Sequence, residues 1–323
     1  MKKSVWISLI VSGALIVFGA GFFVSALNGV NWDFSALSGY EFVTDTCNVT
    51  EPFSNISIDS DTADIQFIPS TDGKCRVEYG DLVYNVYEIE VRDGTLHIIL
   101  NDTRKWYDYI SIGTFTSSYI TVYLPAGEYG TLTVSESTGD IEIPADFSFE
   151  NLDMELSTGD VNVLASIKNT AKIKANTGDV TLKDLCVGGL EIKVTTGKIE
   201  LEGVDCTGDV SLRCSTGKTF LTDLTCASLT SKGSSGDILL KNVIALGAFD
   251  ISRDTGDVSF DSCDAANITV STDTGDVRGT LRTDKIFVCR SDTGRVEVPP
   301  TTKGGTCRIT TDTGDIIITI VSE

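Results

Sequence analysis

One short motif, Thr-Gly-Asp with its flanks, returns ten times through the chain, sometimes with one residue changed. Its glycines are Gly139, Gly159, Gly178, Gly197, Gly217, Gly236, Gly256, Gly275, Gly294 and Gly314, each 19 or 20 residues after the last. A fixed period of this length marks a repeat architecture and constrains the fold more tightly than local propensity does. Counting from each glycine, positions +2 and +4 are apolar around a polar residue, as in Ile141/Ile143, Val180/Leu182 and Ile316/Ile318. Positions −5 and −7 repeat the pattern, as in Met154/Leu152, Ile192/Leu190 and Ile309/Cys307. A period of two is the signature of a strand with one buried face. Each repeat therefore holds at least two strands joined by a glycine turn. A unit this small cannot bury its own apolar face, but a stack of such units can. The prediction is an all-β β-solenoid of stacked rungs of about 20 residues, with like residues in ladders, roughly 48 Å long at ~4.8 Å per rung. A right-handed coil is the default expected from the crossover rule. A four-stranded propeller blade would need a period nearer 40 residues.

The chain divides into four parts. Residues 1–30 hold Lys2 and Lys3, then an uncharged run from Val5 to Leu27, long enough to span a bilayer as one transmembrane helix. Val24-Ser25-Ala26 would also suit a cleavage site. A retained anchor is the preferred reading and a removed signal peptide stays open. The basic residues before the run place the amino terminus in the cytoplasm and the bulk outside. Residues 31–39 read as a spacer. Residues 40–130 read as a β cap with the first atypical rungs: Ala63 stands in the glycine position, flanked by Ile56, Ile58, Ile65 and Phe67. Within it, Asp93-Gly94 between alternating apolar runs predicts a hairpin over 87–100. Ile120, Val122 and Leu124 form a strand ended by Pro125. Residues 131–323 are the regular repeats, expected to stack in chain order.

The formal net charge is −21, with one histidine, His97, and no basic patch. Nucleic acid is excluded as a partner on that balance, and a zinc site has no Cys-x-x-Cys to build on. Of nine cysteines, Cys214, Cys263, Cys289 and Cys307 fall on interior ladders as small core residues. Cys206 and Cys226 share position +9 in adjacent rungs, within reach of a disulfide, although free thiols are the preferred reading. Cys47 and Cys75 form a second candidate pair in the cap.

Three features could carry chemistry. Asp254, Asp257, Asp273, Asp276, Asp292, Asp312 and Asp315 fall in two adjacent rows along the turn edge. They are candidate oxygen ligands for Ca²⁺, set against the simpler reading as turn residues, with no cofactor. Trp106, Tyr107 and Tyr109 lie in an aromatic loop that could stack on a sugar ring or cover the open end of the core. Catalysis is not expected: the outward positions are mixed, and a nucleophile elbow or nucleotide loop is missing from the sequence.

The residues that follow the leader carry a resemblance. Val49 to Asp59 (Val-Thr-Glu-Pro-Phe-Ser-Asn-Ile-Ser-Ile-Asp), Ile120 to Pro125 and the serial Ser/Asp-Thr-Gly-Asp-Ile/Val motif resemble the bacterial "putative adhesin" domain of unknown function, to which LiaG-like cell-envelope proteins belong. The resemblance covers about residues 40–323. It implies a surface-exposed β-solenoid, often in Gram-positive bacteria, with no catalytic residue to carry over. The reading is a non-catalytic adhesion, binding or scaffold module of the cell envelope, single-pass and largely extracellular, with a role in envelope stress as the finer implication. The rival is a carbohydrate-active β-helix enzyme. Partners expected are the membrane, through the helix, and an envelope protein or polysaccharide. A further partner is a second copy at the carboxyl end, where Ile316, Ile317, Ile318, Ile320 and Val321 suggest an uncovered last rung.

Overall fold

The computed structural model describes residues 3–29, 32, 42–103 and 117–321. Helix α1 (Lys3–Gly29) is apolar around its whole circumference. The rest of the described chain is strand and turn, wound into a β-solenoid of about ten turns. The strands pair in parallel and in register from rung to rung: Met154 on Ile173 on Ile192 on Leu212, and Val161 on Val180 on Ile199 on Thr219. Each inward residue thus sits on its own counterpart. Ile173, Ile192, Val180 and Ile199 are all fully enclosed.

Several rungs have a third segment, consistent with the expectation of at least two strands per repeat. In the Gly217 rung the pieces are Val210–Thr216, Thr219–Thr222 and Thr225–Cys226. Positions +7 and +9 point inward along this side: Leu185, Val204, Leu224, Val243 and Cys263, then Val187, Cys206, Cys226, Ala245 and Ala265, all buried. The corner before it, at +6, holds Asp184, Asp223, Asn242 and Ser262 at φ 51–56°. Short polar residues that bond nearby backbone tolerate this left-handed conformation best. In the Gly197 rung the same corner is Gly203, at φ 62°, so the sequence signal at +6 is a short polar residue or glycine.

The turn glycines are required for two reasons. Their φ values run from +128° to +158°. In addition, a Cβ on any of the ten would lie only 1.7–2.3 Å from the carbonyl oxygen of its neighbour in the column. Ala63 begins that column: Gly139 sits on the Ala63 carbonyl, and Ala63 itself has no positive φ. A methyl is therefore tolerated there and nowhere further along.

The cap is built from β1 (Phe42–Val49), β2 (Asn55–Ser60), β3 (Asp64–Pro69), β4 (Cys75–Leu82), β5 (Asn85–Arg92), β6 (Thr95–Asp102) and β7 (Tyr119–Leu124). β2 and β3 are the degenerate rung, parallel to the Gly139 rung. β5 and β6 form the expected hairpin, with Asp93 and Gly94 both at positive φ. β4 lies antiparallel between β1 and β7.

The far end corrects the sequence reading. The rungs do not stack in chain order. The strand at 305–313 pairs with 258–274 on one side and with 285–293 on the other. Likewise 316–320 lies between 277–281 and 296–297. In the glycine column Gly314 follows Gly275, and Gly294 comes last. The final rung of the sequence is therefore the penultimate rung in space, with Ile316 and Ile318 buried, and it is not an uncovered tip. Two features favour this order. Pro299 and Pro300 follow the Gly294 rung and have no N–H to offer a further neighbour, so that rung suits an end. Gly304 and Gly305 pass within Cβ-excluding distance of the Asp284 and Ala266 carbonyls, which lets the chain thread back between rungs.

Candidate functional site

The turn edge carries a row of carboxylates, interrupted at Lys198, Lys218 and Arg295. Each aspartate at +1 accepts a hydrogen bond from the backbone N–H of the +1 residue in the next rung. Asp64 accepts from Asp140 (3.0 Å), Asp140 from Asp160 (2.8 Å), Asp160 from Asp179 (2.7 Å) and Asp179 from Lys198 (2.7 Å). Further along, Asp237 accepts from Asp257, Asp257 from Asp276, Asp276 from Asp315 and Asp315 from Arg295, at 2.7–3.1 Å. One oxygen of each is thereby committed to holding the stack. At the distal end the second oxygens are engaged as well: Asp276 pairs with Arg278, and Asp315 with Arg278 and Arg295. These bonds hold the Asp315 carboxyl below its ordinary pKa, the Arg295 backbone N–H foremost. Asp254, Asp273, Asp312 and Asp292 form a second, exposed row in that spatial order. Among the described residues no group of three or more His, Cys, Asp or Glu is placed to hold a metal ion.

The cap contains a polar node that sequence reasoning missed. Asp81 and Asn85 are almost fully buried. Asp81 accepts from the Leu82 N–H (2.7 Å), Asn85 Nδ2 (2.9 Å), Ser118 Oγ (2.7 Å) and the Tyr87 hydroxyl (3.0 Å). Tyr87 also meets Ser60 Oγ at 3.2 Å. Beyond it lies Glu136, only 4% exposed, at a −3 position that later rungs fill with Leu156, Ala175, Val194 and Cys214. The Ala63 and Thr138 N–H groups reach its Oε1 at 3.3 Å, and among the described residues Oε2 has no partner within hydrogen-bond distance. A cavity of about 320 Å³ adjoins the node, lined in part by Ala63, Asp64, Asp81, Asn85, Ser118 and Gly139. The node could be found in the sequence only as a single acidic residue in an apolar ladder.

Burial pushes the Glu136 carboxyl up to about 7, and its backbone N–H partners only partly offset this. A carboxyl whose folded pKa lies above its unfolded value stabilises the fold fully below the unfolded value and loses that contribution as pH rises through the folded one. The window here is about pH 4.5 to 7, and the loss across it is roughly 3 kcal/mol. Glu136→Gln should flatten that part of the stability curve relative to the parent chain, measured by urea unfolding at pH 5 and pH 8. Parallel curves for the two proteins would show that Glu136 does not titrate in this range.

A second interior exception lies in mid-rod. Arg253 is buried and donates to the Ser231 and Ser252 carbonyls (3.1 and 2.8 Å) and to Ser231 Oγ (2.9 Å). It explains two departures from the apolar pattern: Thr219 and Ser231 replace aliphatic residues on the ladders around it. At Gly233 a Cβ is barred first by the Cys214 carbonyl oxygen, at 2.4 Å, with the guanidinium further off at 3.3 Å. All nine cysteines are free thiols, so neither Cys206–Cys226 nor Cys47–Cys75 is bonded in the structure. Burial pushes Cys75, Cys226 and Cys307 up to about 12, and Cys186 is the exposed thiol.

Trp106, Tyr107 and Tyr109 lie outside the described residues. The described aromatics of the cap pack on one another: Phe53 stacks on Tyr129, Tyr79 lies 4.8 Å from Tyr87, and Tyr119 tilts against Phe42. A cleft of about 640 Å³ runs past Pro52, Phe53, Cys75, Pro125 and Tyr129, and one of about 570 Å³ past Asn55, Tyr129 and Lys168.

Comparison with solved structures finds a putative adhesin from Bacteroides fragilis at 17% identity, covering 86% of this chain and 97% of that one, with a TM-score of 0.41. A putative lipid binding protein from Parabacteroides distasonis is 19% identical, covering 73% and 96%, with a TM-score of 0.49. A putative adhesin from Parabacteroides distasonis is 13% identical, covering 87% and 98%, with a TM-score of 0.40. Comparison with curated proteins finds no match. The family model for Toastrack DUF4097 matches residues 53–213 and 206–323, the cap and the glycine-turn rungs together, and the chain belongs to that family.

Proposed function

We propose that this protein is a non-catalytic binding or scaffold rod of the bacterial cell envelope, held by α1 in the membrane with residues 42–321 outside. The observation that carries the reading is the pairing of two parts. A helix with a 20-residue span of mean hydropathy 2.2 precedes a rod whose edge carboxylates are bound to the next rung. Such a rod offers a stiff, repetitive surface and holds its acidic groups in structural roles, which suits binding better than proton transfer. The aspartate rows are read as structural and not as calcium ligands. The expected partner is an envelope protein or polysaccharide, and a contribution to envelope stress and a Gram-positive source belong to the same proposal.

Cys186, the exposed thiol, provides the test. A membrane-impermeant maleimide applied to intact cells should label it, and the labelled chain should stay in the membrane fraction at full length. Labelling only after lysis would overturn the orientation. A shortened, soluble chain would show that the helix is a cleaved signal. Turnover of purified envelope polysaccharide would overturn the non-catalytic reading.

A further inference from the structure

The Gly294 rung leaves one long strand edge open. Its first strand, Lys285–Thr293, pairs with 305–313 on one side, and among the described residues no strand lies on the other. On the adjoining side the edge is blunted, because Val296–Glu297 is two residues long and Pro299-Pro300 follows. The distal strand itself carries no proline, although its first carbonyl, that of Lys285, accepts a hydrogen bond from the Thr301 hydroxyl. Ile286 and Val288 are 42% and 43% exposed. Phe287 and Cys289, which continue the core ladders, are only partly covered because the core ends there. Unpaired backbone beside exposed apolar side chains is a template for another strand.

Charge selects the occupant. Between Gly275 and Glu323 seven basic and seven acidic residues cancel, so the whole net charge of −21 rests on residues 1–274. Two rods side by side would set acidic flank against acidic flank. End to end, their acidic bodies lie several Debye lengths apart, at about 8 Å per length. The strand is also compatible with itself. In an antiparallel self-pair centred on Cys289, Phe287 faces Ser291, Val288 faces Arg290 and Ile286 faces Asp292. No two like charges oppose each other, and inward residues meet inward residues. Such a contact is isologous and closes at two copies. The opposite end offers a poorer partner: its edge strands β1 and β5 carry Asp45, Glu88 and Glu90, and both pair antiparallel with their neighbours.

We infer that the distal strand Lys285–Thr293 is a homodimerisation edge, at which two copies of this chain join tip to tip by antiparallel strand pairing. The test is sedimentation equilibrium of the full chain in detergent micelles. The wild type should dimerise in the micromolar range. The double variant Ile286→Lys/Val288→Lys should weaken dimerisation at least tenfold, while Leu246→Lys, an exposed position on the rod flank, should not. Circular dichroism should be the same for all three, because the changed side chains point to solvent. A wild type that is monomeric at 100 μM overturns the inference. So does a dimer that the double lysine leaves intact, which would place the contact in α1. So does a monomer that instead retains a strand of another envelope protein, released by the double lysine.

Discussion

Gly178→Ala should cost about 4 kcal/mol or more, at the far end of the range for single substitutions. The new methyl would stand 1.9 Å from the Gly159 carbonyl oxygen, at a φ of +139°. Neither atom can retreat, because the Gly159 carbonyl is itself part of the stacked column and its rung is paired on both sides. The control is Gly73→Ala, also at positive φ (+70°) but with no atom of the described residues within 4 Å of the new methyl. It should cost only the backbone strain of about 1 kcal/mol. Urea unfolding of both variants separates the two contributions. Equal and small effects would mean that the column is not in contact.

Ile316→Ala and Val296→Ala form the second test, aimed at the rung order. Both residues occupy position +2 of their rungs and stack on each other. If the rungs followed the sequence, Val296 would be internal and Ile316 terminal. In the structure Ile316 is fully buried and Val296 is 42% exposed. Ile316→Ala should therefore cost about 2–5 kcal/mol, as cavity-forming core truncations do, and Val296→Ala less than about 1 kcal/mol. The reverse ranking would restore the serial order. Hydrogen exchange gives an independent reading. Amides of 305–313 should be better protected than those of 285–293, since only the former lie between two strands.

The edge and the cap differ in how far the sequence disclosed them. The aspartates after the turn glycines were visible as a row, and their proximity followed from the repeat. That each one accepts the next rung's N–H depends on side-chain rotamers and on a 19- or 20-residue return path, which spacing alone does not fix. The node of Asp81, Asn85, Tyr87 and Glu136 joins residues from three segments of low sequence regularity, so no local pattern could bring them together. Arg253 was legible only in hindsight, through Thr219 and Ser231, which face it.

The sequence by itself determined the unit and its stacking. A strict period of 19 to 20, apolar residues at fixed offsets and a glycine at each turn admit one arrangement: in-register parallel ladders around an apolar core. Those are nearest-neighbour properties, repeated along the chain, and the residues of one repeat suffice to express them. The order of the last rungs was decided only in three dimensions. Every regular rung presents much the same ladder of inward residues to its neighbours, so local pairing barely distinguishes Gly275 followed by Gly294 from Gly275 followed by Gly314. What separates them is global. Burying Ile316 and Ile318 on both faces removes more apolar surface from water than burying Val296 beside two prolines, and only the completed stack realises that difference.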